Sequence, residues 1–266
     1  PNVIVKGIHM HLGSQVTSLD TWIKGIEVLT KIVNELYDKL SLTLEHVNVG
    51  GGLPVNYTLS TLDRDVNALP DYFIPKVDVN DIAKVISTHL KNVKYGGITL
   101  YLEPGRRVVA DSALLIARVV NCKVRSSNVK WLITDVGFNV LLSLRVLQWY
   151  YPIVSVDKAG EPHDTPYKIG GPLCDSHDVF HDIDGEELGN PRLPVFRYLP
   201  KDIEPGNLLA ILHVGAYTLD VMNNFNGQLK PAVVIIREDG SINVIRKRED
   251  ISDLILPEIT ESLLSF

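Results

Sequence analysis

The spacing of apolar positions changes partway along the chain. Residues 3 to 10 (VIVKGIHM) form a short, β-branched run ending at His11, Leu12, Gly13 and Ser14, the pattern of a buried strand. Trp22, Ile26, Leu29, Val33, Leu36 and Leu40 then recur at steps of four and three, which predicts one face of a helix with Ser18 or Asp20 as its N-cap. HVNV (46 to 49) reads as a second strand running into Gly50, Gly51 and Gly52, and residues 53 to 77 read as a loop containing Pro and Asp. Ile82, Val85, Ile86 and Leu90 predict a helix over about 80 to 92, capped by Asp78 or Asn80, and ITLYL (98 to 102) predicts a third strand ending at Glu103, Pro104 and Gly105.

Strand, helix, strand, helix, strand implies parallel strands joined by right-handed crossovers. All three strands end in polar or Gly-rich loops, and in a (β/α) barrel that end of the strands is where active sites assemble. From about residue 114 the period shortens to alternating strands (LLIARVV, WLITD, PVFRYL, LLAILHV, AVVIIR, INVIR), which predicts a mainly antiparallel β domain. The expected fold is α/β plus all-β: part of a (β/α) barrel over residues 1–112, then a β-barrel or sandwich domain over 113–266. A closed barrel has eight strands. Three leave an open edge and an open apolar face, to be covered by an upstream segment or by another chain. Pro1, two residues before a strand, fits a chain that begins inside a domain.

Composition narrows the partners. Of 266 residues 45% are hydrophobic and 22% charged, and the formal charge of -6 comes with scattered Lys and Arg, so neither nucleic acid nor an anionic membrane is an expected partner. A small-molecule ligand is. Two cysteines, Cys122 and Cys174, are too few for a disulfide scaffold and fit a reducing cytoplasm. No apolar run reaches the roughly 18 residues of a membrane helix.

Each polar strand end has a bland reading beside a chemical one. Gly50, Gly51 and Gly52 make a tight turn or a backbone approach to a phosphate, without the G-x-G-x-x-G spacing of a dinucleotide fold. His9 and His11 suit a structural strand end, a metal pair, or a ring stacked on an aromatic cofactor with Ser14 on its phosphate. Glu103 and Arg106 are a surface ion pair or a site, and Cys174-Asp175-Ser176-His177-Asp178 is an exposed loop or a dense reactive run. Tyr217 in GAYT is unremarkable alone.

In series these motifs are specific. HLGSQ, VGGGLPV, EPGR, GPLCDSHD, and GAYT followed by NNFNG stand in the order and approximate spacing of the pyridoxal-phosphate (PLP) dependent ornithine, arginine and diaminopimelate decarboxylases, which the chain resembles from about residue 3 to 237. The resemblance implies an alanine racemase-like fold and a head-to-tail homodimer with shared active sites. It places His11 on the pyridine ring and Glu103 on the ring nitrogen, where a carboxylate favours the protonated ring that acts as electron sink. It assigns the phosphate to Ser14, the amides of Gly50, Gly51 and Gly52, and Tyr217, with Arg106 nearby. Cys174, reaching across the dimer interface, would deliver a proton after CO2 is lost. Asp175, helped by Asp135, would bind the distal amine of a basic or diamino acid.

Two departures qualify the resemblance. Family members hold PLP through a Schiff-base lysine in a stretch like A-x-K-A-N, and no lysine of this chain has that context, so the 266 residues are expected to be inactive alone. The diaminopimelate branch carries Glu after the cysteine and Arg and Tyr where Ser143 and Leu147 stand here. That argues for ornithine, lysine, arginine or a relative over a substrate with a distal carboxylate, unless Arg145 compensates. The competing readings are a catalytically silent relative that regulates an active decarboxylase, against which the retained Cys174 and Glu103 weigh, and a metal-dependent barrel hydrolase, for which the other strand ends supply no further ligands.

Overall fold

The computed structural model describes residues 2–59, 69–125, 127–183 and 193–258. Its first half holds three parallel strands, β1 (Gly7–His9), β2 (His46–Asn48) and β3 (Thr99–Tyr101), in that order. Helix α1 (Leu19–Leu40) connects β1 to β2 and α2 (Val79–Leu90) connects β2 to β3. The apolar face read from α1 is buried as far as Val33, with Leu36 half-buried and Leu40 exposed: Trp22, Ile26, Leu29 and Val33 pack with Val47 and Val49 at β2 and Ile82 and Ile86 of α2. Ser18 is the N-cap of α1 without a side-chain bond, whereas Asp78 caps α2 by accepting from the Asn80 amide at 2.7 Å.

The first strand is shorter than the expected run of 3 to 10, and Val3, Ile4 and Val5 lie exposed. β1 has β2 on one side and no described strand on the other, and an edge strand keeps its ladder only as far as its neighbour reaches.

The second half is a six-stranded sheet of β4 (Leu115–Val124), β5 (Lys130–Thr134), β6 (Ile153–Ser155), β7 (Thr165–Gly170), β8 (Arg197–Leu199) and β9 (Leu208–Ile211), in the order β6-β9-β4-β5-β7-β8. Its pairs are antiparallel except β5 with β7, which run parallel. A separate hairpin, β10 (Val233–Ile236) with β11 (Ile242–Arg246), exposes Val234, Ile236, Ile242 and Val244. The described residues also hold short α-helices, α3 (Gly105–Val109), α4 (Leu142–Leu147) and α5 (Ile251–Ile255). The loop read at 53 to 77, of which 60–68 lie outside the described residues, puts Val55, Tyr57, Leu69 and Phe73 into the core of the β domain. Residues on either side of position 112 thus share one core. No helix among the described residues is long and apolar enough to cross a membrane.

Candidate active site

The three parallel strand ends abut because glycine lets them. A Cβ on Gly51 would lie 2.4 Å from the Glu103 carbonyl oxygen, and one on Gly52 (φ 85°) would lie 2.2 Å from that of Gly13. No side chain fits in either place, so the turn after β2 is wedged between the loop after β1 and the end of β3. The Gly51 amide donates to His11 Nδ1 at 3.2 Å, which makes that nitrogen the acceptor. Asn48 ties the turn to the carboxylate: its Oδ1 accepts from the Gly50 amide at 2.8 Å and its Nδ2 donates to Glu103 Oε1 at 2.7 Å. His9 Nε2 stands 3.8 Å from the same Glu103 oxygen. Of the three amides expected to meet a phosphate, those of Gly50 and Gly51 are therefore engaged within the chain.

Arg106, on α3, is the hub of the next cluster. Its guanidinium lies 4.0 Å from the Trp149 ring centroid and 4.5 Å from that of Tyr217. It donates to the Tyr57 hydroxyl at 2.9 Å and to Ser14 Oγ at 3.2 Å, while its buried Nε has no partner among the described residues. Tyr217 arrives there through the small residues before it. A Cβ on Gly215 would fall 1.7 Å from the carbonyl oxygen of Val109, so only glycine can dock on the end of α3, and its amide bonds the Ala110 carbonyl at 3.0 Å. Tyr217 itself holds a left-handed backbone (φ 56°), a strained state for an aromatic residue.

The cysteine loop is built on a different plan. Asp178, buried, accepts from the Leu173 amide at 2.8 Å and the Phe138 amide at 2.9 Å, and Gly137 and Gly171 leave room for its carboxylate. Burial holds its carboxyl above the usual range. Asn226 of NNFNG accepts from the Cys174 amide at 2.9 Å, and Cys174 is exposed. Asp175 accepts from the His177 amide at 2.8 Å, which chiefly lowers its pKa, and faces Arg145 Nε at 3.8 Å. Asp135 stands apart, accepting from the Arg118 amide at 2.7 Å.

Three clusters result. His11, Gly50, Gly51, Gly52 and Glu103 meet at the strand ends, and Ser14 and Tyr217 meet at Arg106, three residues after Glu103. Cys174 and Asp175 form the third cluster, and no hydrogen bond or ion pair among the described residues links it to the other two. Sequence reading gave no role to Asn48, Tyr57, Trp149, Asp178 or Asn226. Two of these, Asp178 and Asn226, sit inside motifs already singled out, where their side-chain chemistry was the available signal.

The chain is similar in sequence and fold to known proteins. Residues 1–110 fit the family described as pyridoxal-dependent decarboxylase, pyridoxal binding domain. The diaminopimelate decarboxylase of Methanocaldococcus jannaschii is 33% identical over 97% of this chain and 52% of its own length, and that of Methanothermobacter thermautotrophicus is 29% identical over 94% and 52%. A crystal structure of the M. jannaschii enzyme superposes with a TM-score of 0.77 at 30% identity, over 99% of this chain and 54% of that one. Residues 1–110 match the pyridoxal-binding domain of the PLP-dependent decarboxylases, and the chain as a whole is similar to those enzymes. Its fold is part of a PLP-binding barrel followed by a β domain, and it spans about half the length of the curated relatives it matches.

The residues present fit that cofactor. A guanidinium with an unpartnered N–H beside a serine hydroxyl suits a phosphate monoester, and a carboxylate one strand end away, already taking a hydrogen bond, suits a ring N–H.

Proposed function

We propose that this chain is the phosphate-holding and proton-delivering part of a PLP-dependent decarboxylase acting on a diamino acid. The observation that carries the reading is the convergence of the β1, β2 and β3 ends, which gathers His11, the glycine turn and Glu103 beside Arg106. When bound, PLP supplies the electron sink that makes loss of CO2 feasible. Glu103 would hold a proton on the ring nitrogen by opposing charge, with Asn48 fixing the carboxylate. His11, pinned by the Gly51 amide, would lie against the ring face. Ser14, Arg106 and Tyr217 would take the phosphate, with Gly52 as the amide of the turn best placed to help. Cys174 would deliver the proton that replaces CO2, in a site shared across a two-fold homodimer, since no hydrogen bond or ion pair among the described residues joins its loop to the strand-end cluster.

Asp175 would bind a distal amine. Arg145 beside it adds a positive charge, which readmits a distal carboxylate and so a substrate such as diaminopimelate. Crystal structures of relatives with L-lysine bound, such as the Helicobacter pylori enzyme at 28% identity, are in keeping with a diamino acid. The two free cysteines are consistent with a reducing, cytoplasmic setting. A further segment or chain would add the remaining barrel strands and the Schiff-base lysine, covering the open edge of β1.

The test is CO2 release from diaminopimelate, lysine, ornithine and arginine with PLP present, from the 266 residues alone and with a completing segment that carries such a lysine. We expect none from the chain alone and activity on at least one substrate after completion. Inactivity of the completed protein on all four would refute the reading in favour of the silent regulator.

A further inference from the structure

Resting on the phosphate site just proposed, we infer that Trp149 and Tyr57 are positioning residues that preset Arg106 for its anion. An arginine side chain normally gives up much rotamer freedom to bind, and a guanidinium already held in its bound orientation gives up little. Here three aromatic residues hold it. The Trp149 ring lies 4.0 Å from the guanidinium carbon and the Tyr217 ring 4.5 Å, while the Tyr57 hydroxyl takes one N–H at 2.9 Å. A guanidinium has five N–H donors. Tyr57 and Ser14 take one N–H each, from Nη1 and Nη2, and each of those nitrogens keeps a second N–H for a phosphate.

Both positioning residues are themselves fixed. Tyr57 is fully buried and meets Trp149 edge to face, with centroids 5.1 Å apart and planes at 84°. Trp149 follows the left-handed Gln148 that ends α4, and its amide bonds back to the Ser143 carbonyl at 3.1 Å. Burial raises the Tyr57 phenol above its ordinary range, so at neutral pH the hydroxyl stays neutral and the guanidinium keeps its charge for the ligand. The indole is contributed by the β domain and the guanidinium by the barrel part, so the second half of the chain tunes an anion site on the first.

The test is equilibrium binding of PLP and of pyridoxal, which lacks the phosphate, to the full chain and its Tyr57→Phe, Trp149→Leu and Arg106→Lys variants. A positioning role predicts that Trp149→Leu weakens PLP about tenfold and Tyr57→Phe about threefold, with pyridoxal unchanged, so that the ratio of the two affinities falls. Equal weakening of both ligands would mean that the rings only support the fold, and would overturn the inference. So would an unchanged ratio in both variants where Arg106→Lys lowers it. A wild-type chain with no preference for PLP over pyridoxal would overturn the phosphate site itself, and the inference with it. Tyr57→Phe removes one oxygen from a packed ring, so it keeps the test decisive if Trp149→Leu does not fold.

Discussion

The strand-end cluster and the cysteine loop solve the same problem, holding exposed reactive groups still, by opposite means. At the strand ends the backbone does it by exclusion: Gly51, Gly52 and Gly215 let carbonyls approach so closely that no Cβ fits, and His11, Ser14 and Tyr217 ride on that packing. In the cysteine loop a buried carboxylate does it by attraction, with Asp178 gathering the amides of Leu173 and Phe138. The first arrangement is intolerant of added atoms. The second is intolerant of lost charge and sensitive to protons.

Substitutions at three sites probe these modes and the fold around them, from the largest effect to the smallest. Gly215→Ala places a methyl 1.7 Å from a backbone oxygen, which α3 can relieve only by moving. A loss of about 3–5 kcal/mol in urea unfolding is expected, together with loss of phosphate-dependent PLP binding at Arg106. Wild-type stability in this variant would mean that the close approach is not a constraint.

Asp178→Ala leaves two buried amide donors unpaired and should cost about 2–4 kcal/mol, with Asp178→Asn, which keeps one acceptor oxygen, losing about half as much. The distinguishing readout is local. Modification of the Cys174 thiol should quicken in Asp178→Ala while the preference for PLP over pyridoxal is kept. A variant that lost that preference would show that the two clusters act as one.

The third concerns acid. His181, buried in the β domain edge-on to Trp131, is pushed down to about 4 from 6.5, chiefly by burial. Between those values the unfolded chain takes up a proton that the folded chain refuses, so stability falls as pH drops through that window. The loss should amount to about 3 kcal/mol across the window and should largely vanish in His181→Phe. Trp131 fluorescence should report this loosening before Trp22, which lies in the core of the parallel sheet. Simultaneous transitions of both tryptophans would argue against separate responses to acid.

What the sequence made legible follows the same division. Period and local chemistry travel well, so the buried part of the α1 face, a cap at Asp78 or Asn80 and the strand-end motifs could be read from the sequence. β6 and β7 could not: one is three residues long, and the other carries Pro166 and the charged Lys168. Their strand character comes from the neighbours they pair with, not from their own pattern. Contacts between distant segments were equally hidden. Nothing near Tyr57 or Trp149 announces an arginine, and Asp178 looks like a solvated carboxylate until Phe138 and Leu173 close over it. Arg145 was named as a possible compensation, and α4 brings it to Asp175.

Tyr217 will be a weak point under directed evolution. Its left-handed backbone costs about 1–2 kcal/mol relative to glycine, so glycine or asparagine at 217 would yield a sturdier protein. A library selected for heat resistance alone should therefore drift to those replacements and shed the ring that faces Arg106, whereas one selected for retention of phosphate should keep the tyrosine and find its gains elsewhere.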